Sequence, residues 1–159
     1  RRALASSPRD ASAHNALGTA LLESGEEDAA LAEFRSAVSL DAAAGDAHYN
    51  IARVLLRREQ IPEAIVHLRQ TLQLDPEDAS AMTDLGAALC MTGAVSEGMT
   101  HLRNATALQP DSYNAHFNYG QALAMARKPK EAELQFREAL RLKPNDKDTL
   151  DALRQLGTQ

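Results

Sequence analysis

Residues 113–146 read YNAHFNYGQALAMARKPKEAELQFREALRLKPND, and the same pattern of residue types recurs in the blocks 11–44, 45–78 and 79–112. The period is 34 residues, without insertion or deletion. Such a repeat is sought before anything else, because it determines the fold of the whole chain. In every block, certain positions hold only small residues and another holds only large apolar ones. Position 8 holds Gly18, Ala52, Gly86 and Gly120, position 20 holds Ala30, Ala64, Gly98 and Ala132, and position 24 holds Phe34, Leu68, Leu102 and Phe136.

The conserved spacing within each block predicts two amphipathic helices. Positions 4, 7, 8 and 11 share one face of a helix at about 3.6 residues per turn, and so do positions 20, 24 and 27. In the first block the helices are expected at residues 11–23 and 28–40. Gly25 and Gly93 fall between the two helices, where a positive φ is often needed. The small residues at positions 8 and 20 let the two helix axes approach closely.

These residues resemble the tetratricopeptide repeat family over residues 11–146. The resemblance implies an all-α fold, a right-handed α-solenoid of antiparallel helix pairs, with the first helix of each pair lining a concave groove. The departures are local. Ala42 replaces the usual proline at position 32, and Glu59 and Arg127 replace the glycine of the turn between helices.

The block boundaries predict one continuous solenoid domain. Residues 1–10 fit the last ten positions of a block, with Pro8 in the place of Pro76, so we expect more protein upstream. Residues 147–159 predict a capping helix with Leu150 and Leu153 inward, and Arg154 stands where a further packed helix would need a small residue. The predicted segments are a repeat remnant at 1–10, four repeats at 11–44, 45–78, 79–112 and 113–146, and the cap at 147–159.

Composition and charge exclude several partner classes. A formal net charge of -5 gives no basic surface for nucleic acid or anionic lipid, and no apolar run reaches the roughly 20 residues of a membrane span. We therefore expect neither nucleic acid nor membrane as a primary partner. Cys90 is the single cysteine and cannot form an internal disulfide, so the localisation stays open between cytoplasm and periplasm.

No residue pattern indicates catalysis, a cofactor or a metal. The histidines occupy only two positions of the block, position 4 in three copies and position 23 in two, which repetition alone explains. His67 and His101 are the pair to examine for a metal, but two ligands make a weak site. Cys90 has the helical neighbours Ala87 and Met91, so a structural thiol is expected. We predict that this segment is not an enzyme.

The functional prediction concerns the face of the first helices that points away from the packing stripe. Asn50 and Asn118 match the position-6 asparagines with which some family members bind a partner backbone, whereas Ala16 and Asp84 break that pattern. The lysine-rich clamp by which other members hold a terminal carboxylate is largely absent. The predicted groove comprises Tyr49, Asn50, Arg53, Arg57, Thr83, Asp84, Ala87, Asn114, Phe117, Asn118 and Gln121.

We interpret this face as a protein–protein interaction surface that binds another protein or a peptide segment. Tyr49 and Phe117 share position 5 and are expected to flank a shallow pocket over the small residues Ser80, Thr83 and Ala87. The alternative for the two rings is that they lie against a neighbouring first helix. The alternatives for the function are self-association into a homo-oligomer, and a substrate-presenting arm of an attached enzyme such as a glycosyltransferase.

Overall fold

A computed structural model describes residues 10–157 of the chain. The predicted repeat remnant at residues 1–10 therefore lies outside the described residues except for Asp10, as do the last two residues of the predicted cap. The chain divides into two compact units, Arg1–Pro76 and Glu77–Gln159, and each is described by itself.

Residues 10–157 contain nine α-helices joined by short turns, in agreement with the predicted all-α fold. Helix pairs α1–α2 and α3–α4 lie in the first unit, and pairs α5–α6 and α7–α8, followed by α9, lie in the second. The helices are α1 Ala11–Glu23, α2 Glu27–Leu40, α3 Gly45–Arg57, α4 Ile61–Leu74, α5 Ala79–Met91, α6 Val95–Leu108, α7 Tyr113–Met125, α8 Pro129–Leu142 and α9 Lys147–Gly157.

Glycine at the crossing of paired helices is required by the distance between them. A Cβ atom on Gly86 would lie 2.6 Å from Cγ of Leu102 and 2.9 Å from the carbonyl oxygen of Gly98. A Cβ atom on Gly98 would lie 2.6 Å from the carbonyl oxygen of Gly86. Gly18 and Gly120 are equally close to the rings of Phe34 and Phe136. The expectation that positions 8 and 20 must be small for packing is confirmed.

The turn inside each hairpin uses a left-handed residue. Gly25 has a φ of 84° and Gly93 a φ of 88°, while Glu59 at 58° and Arg127 at 57° adopt the same region with a side chain. The backbone thus needs a positive φ at this position of all four blocks, and only two of them supply the residue that adopts it without steric cost.

In three of the four hairpins, the side chain just before the first helix accepts hydrogen bonds from backbone N–H groups of the first turn. Asp10 accepts from Ser12 and Ala13, Asp78 accepts from Ala81, and Ser112 accepts from Ala115. Ala44, before α3, makes no such bond. The start of α3 is therefore the one among these four first helices that lacks a side-chain cap.

The terminal helix α9 covers the core of the α7–α8 hairpin. Leu153 and Leu156 pack against the buried cluster that contains Phe136, while Leu150 is half-buried. Arg154 is exposed and donates to Asp151 at 2.9 Å. Leu153 therefore lies inward and Arg154 outward, while the role of this helix as a cap stays a prediction.

Candidate functional site

An amide pair joins α1 and α3 in the first unit. The Nδ2 of Asn50 donates to the Oδ1 of Asn15 at 3.0 Å, and both side chains are half-buried. A primary amide offers two donor hydrogens and two acceptor lone pairs, so one mutual bond leaves each side chain capacity to bind a further group. The predicted groove residues include Asn50, and Asn15 is its partner in this bond.

Tyr49 and Arg53 lie one turn apart on α3. The guanidinium carbon of Arg53 is 5.8 Å from the centroid of the Tyr49 ring, and Tyr49 is half-buried while Arg53 is exposed. Arg57 instead bonds with its Nε to the Oε1 of Glu27 on α2 at 2.9 Å. Of the two arginines expected to supply positive charge to the groove, Arg57 is thus engaged with the second helix of the preceding hairpin.

A cavity of about 340 Å³ adjoins the amide pair. It lies between the starts of α1 and α3, the loop that joins α2 to α3, and the end of α4. Its lining includes the carboxylates Asp41, Asp46 and Asp75, and no lysine or arginine is among the described lining residues. The repeat pattern could not reveal this cavity, because part of its wall is the loop before α3, whose path the helical period does not determine.

The predicted groove residues of α5 differ in their exposure. Thr83 is only 5% exposed, and its hydroxyl donates to the carbonyl oxygen of Ala79 at 2.8 Å within the helix. Asp84 and Ala87 are half-buried. The hydroxyl hydrogen of Thr83 is therefore already used in a bond within its own helix. Asp84 is the charged residue among the predicted groove residues of α5.

Phe117 on α7 belongs in large part to the core of its hairpin. Its ring is stacked on Tyr113, with centroids 5.7 Å apart, and tilted against the buried Phe136 at 5.9 Å. Among the other predicted residues of this helix, Asn114 and Gln121 are exposed and Asn118 is half-buried. The pocket expected between Tyr49 and Phe117 stays a prediction, as does the assignment of the groove residues as a whole.

The exposed methionines were not in the predicted site. Met91 and Met125 occupy position 13 of successive first helices and are 68% and 56% exposed. Met125 also lines a cavity of about 600 Å³ together with Ala124, Arg127, Pro129 and Leu156. Methionine side chains are flexible and polarisable, which suits contact with varied apolar groups.

Histidines at position 4 bond to position 23 of the same hairpin. The Nδ1 of His14 lies 2.6 Å from Oε2 of Glu33, and the Nδ1 of His116 lies 2.8 Å from Oε1 of Gln135. His67, which the sequence grouped with His101, bonds His48, with 2.8 Å between the two Nδ1 atoms. Within residues 10–157 no group of three or more histidine, cysteine or acidic side chains is arranged to hold a metal ion.

Cys90 packs in the core between α5 and α6. It is buried beside Leu102 and Ala122, and burial raises the pKa of its thiol. A thiol held protonated in this way is a poor nucleophile. Along the described part of the chain, no helix combines the length and apolarity needed to cross a bilayer.

Two family models, both described as tetratricopeptide repeat, match residues 21–89 and 97–147. The chain belongs to the tetratricopeptide repeat family. Repeats of this family are generally protein–protein interaction scaffolds and typically non-catalytic, and that general role applies to this module. No curated protein matches the chain.

Several solved structures share the tetratricopeptide fold of this chain. The crystal structure of MamA protein aligns with a TM-score of 0.84 at 17% identity, covering 93% of this chain and 81% of that one. Pseudomonas aeruginosa PilF aligns with a TM-score of 0.79 at 25% identity, covering 92% and 67%. The APC/C hetero-tetramer Cut9-Hcn1 aligns with a TM-score of 0.84 at 18% identity, covering 93% of this chain and 30% of that one.

Proposed function

We propose that this tetratricopeptide module binds a segment of a partner polypeptide along the exposed face of its first helices. The observation that carries the proposal is the Asn15–Asn50 amide pair beside the cavity of about 340 Å³ in the first unit. Side-chain amides bond the N–H and C=O groups of an extended backbone without regard to its sequence. The cavity beside them can then take one side chain of the bound segment.

The chemistry around the amide pair defines which segments fit. Tyr49 offers an aromatic face, and the exposed Arg53 above it is a hydrogen-bond donor. The carboxylates that line the cavity disfavour an acidic side chain there, because like charges brought together lower affinity. A neutral or basic residue flanked by apolar ones is the expected occupant. The hetero-tetramer Cut9-Hcn1 supports the general mode, since a chain of this fold there assembles with another protein.

The test uses a phage-displayed library of random peptides selected on the wild-type module. Binding of the enriched peptides is then measured for Asn50→Ala, Tyr49→Ala and the control Val66→Ser, which changes an exposed side chain on the second helix of the hairpin. Asn50→Ala should weaken binding by about 1–3 kcal/mol, and Tyr49→Ala by about 2 kcal/mol. The control should bind like the wild type.

Loss of binding in the control, together with normal binding in the two α3 variants, would contradict the proposal. If Val66→Ser abolishes binding while both variants of α3 bind normally, the partner lies on the second helices. Light scattering on the same samples separates peptide binding from self-association, because a homo-oligomer would scatter as a multimer before any peptide is added. Phe117→Ala is unsuitable for this purpose, because the loss of its contact with Phe136 also lowers stability.

A further inference from the structure

His48 and His67 form a hydrogen-bonded pair that links α3 to α4. Their Nδ1 atoms are 2.8 Å apart and their ring centroids 5.1 Å apart. The second nitrogen of His48, Nε2, lies 3.3 Å from the carbonyl oxygen of Ala42 in the loop between α2 and α3. His48 is only 7% exposed, so its ring has little freedom to turn without disturbing its neighbours.

The two contacts of His48 fix where protons can reside. A carbonyl oxygen only accepts, so Nε2 of His48 carries a hydrogen. In the neutral ring Nδ1 is then bare, and it accepts the Nδ1 hydrogen of His67. One added proton is tolerated, because a cationic ring can donate to a neutral one. With two added protons both Nδ1 atoms carry hydrogens and face each other, and the bond between them is lost.

The equivalent histidines have different partners. Position 23 holds Glu33 opposite His14 and Gln135 opposite His116. A carboxylate accepts from a histidine in its cationic form, and an amide can offer an oxygen to it. Neither partner gains a charge of its own at mildly acidic pH. The His48–His67 pair therefore differs from them in that both members are imidazoles, each of which can take up a proton and become cationic.

The charges around His67 leave its preference for the neutral form intact. Burial lowers the pKa of His67 from its ordinary value of 6.5, and the neighbouring His48 lowers it further. Glu63 on the same helix acts in the opposite sense, but it is paired with Arg35 of α2 at 3.2 Å, and Arg35 itself lowers the pKa of His67. At His67 the folded hairpin thus binds fewer protons than the unfolded chain, so the stability that this group contributes falls as pH drops below about 6.5.

The loop that His48 holds is also a wall of the cavity. Asp41, Ala43, Ala44 and Gly45 line that cavity on either side of Ala42. The loop has a turn of its own, in which the Asp41 carboxylate accepts from the N–H of Ala43 at 2.9 Å, but the start of α3 has no side-chain cap. We infer that the His48–His67 pair is a proton-sensitive latch that fastens this loop to α3 at neutral pH and releases it when both rings are protonated.

Hydrogen exchange on the whole chain tests the latch. In the wild type, backbone amides of residues 41–48 should exchange about fivefold faster or more at pH 5.0 than at pH 7.5, after correction for intrinsic rates. In His67→Gln, which copies the His116–Gln135 pair, this acceleration should disappear. Residues 109–116 are the internal control and should behave alike in both proteins. The fall in melting temperature between these pH values should be smaller in the variant by about 2–4 °C.

Equal pH dependence in the wild type and His67→Gln would overturn the latch. A rise in melting temperature with Ni²⁺ at pH 7.5, present in the wild type and absent in the variant, would overturn it too, because the pair would then be a metal site. If His67→Gln does not fold, nitrogen chemical shifts of the wild-type imidazoles decide. At pH 7.5 one Nδ1 of the pair should be protonated and the other bare, and any other state contradicts the latch.

Discussion

The residue before each first helix differs between hairpins in a way that stability measurements can detect. The side chains of Asp78 and Ser112 accept from backbone N–H groups at the helix start, whereas at α3 the N–H of Ala47 bonds only the carbonyl oxygen of Ala44, at 3.0 Å. The backbone of Ala44 has a φ of −72° and a ψ of 76°. These angles are close to those of Asp78, whose φ is −67° and ψ is 96°. A capping side chain at residue 44 should therefore reach the same N–H groups.

Ala44→Ser should raise the free energy of unfolding by about 1 kcal/mol. Serine is preferred to aspartate here because Asp41 and Asp46 are close in sequence and a further carboxylate would be repelled. Denaturant titration measures the change, and Ser112→Ala is the matched control, expected to lose a similar amount. A serine variant with unchanged stability, beside a destabilised Ser112→Ala, would mean that the loop cannot present the cap.

Gly86→Leu should lower the free energy of unfolding by about 1–3 kcal/mol or more. The Cβ atom would meet Leu102 and the backbone of Gly98, and a backbone carbonyl cannot turn away as a flexible side chain can. Gly45→Ala is the control, because its Cβ atom would lie 3.7 Å from Leu74, an ordinary contact. Thermal melts in which both variants match the wild type would show that α5 and α6 do not need their close approach.

At the scale of elements, α9 is held by a polar cluster as well as by its leucines. The carboxylate of Asp146 accepts from the hydroxyl of Tyr113 at 2.5 Å, from the hydroxyl of Thr149 at 2.8 Å and from the backbone N–H of Thr149 at 3.1 Å. Lys143 forms an ion pair with it at 2.6 Å. The start of α9 is thereby capped and tied to the start of α7 by the same carboxylate.

Because of this cluster, the second unit should lose stability at acid pH. Hydrogen bonds from Lys143 first, then from Tyr113 and Thr149, hold the pKa of Asp146 well below its usual range. A lowered carboxyl pKa contributes stability above the ordinary value of about 3.9 and loses it as pH falls further. Tyr113→Phe removes one of these donors. The variant should therefore lose less stability between pH 7 and pH 3 than the wild type does.

Tyr113→Phe should also lower the melting temperature at pH 7 by about 2–4 °C, the effect of one lost hydrogen bond in a chain of this size. Tyr119→Phe, in the same helix, controls for loss of a phenol hydroxyl. If Tyr113→Phe melts as the wild type does at both pH values, the bond to Asp146 contributes nothing to the attachment of α9.

The helices themselves could be predicted from the sequence because apolar and small residues recur at helical spacing in every block. The first helix was expected at residues 11–23 and is found there, and the second begins at Glu27, one residue before the expected start. The contact face was harder to predict. Phe117 stands at the border of the packing stripe, and whether its ring turns toward the solvent or toward Phe136 depends on rotamers and helix tilt.

The amide pair and the cavity could not be predicted for a different reason. Asn15 and Asn50 occupy different positions of two successive blocks, so no comparison of equivalent positions brings them together. The cavity depends on the path of the loop around Ala42, where the sequence departs from the usual proline. The repeat determines the scaffold, whereas the candidate site depends on the positions where the repeats differ.

At the scale of the whole molecule, the five histidines offer the one collection of side chains that suggests metal chemistry. Three hairpins use them for bonds between their own two helices, with Glu33, His67 and Gln135 as partners. A metal ion at any of these pairs would have to displace the bond already made there. Two protein ligands with water in the remaining positions also bind transition metals weakly.

Removal of metal should therefore leave the fold unchanged. We expect the helical circular dichroism and the melting temperature to be the same, within error, before and after treatment with excess EDTA at pH 7.5. His14→Ala and His116→Ala serve as comparisons, since each loses a bond within its hairpin and should melt lower whether or not a chelator is present. Loss of helicity on chelation, restored by a particular metal and absent in one of these variants, would contradict the expectation. It would also locate the ion at that histidine, because only a ligand of the structural metal can abolish the effect of its removal.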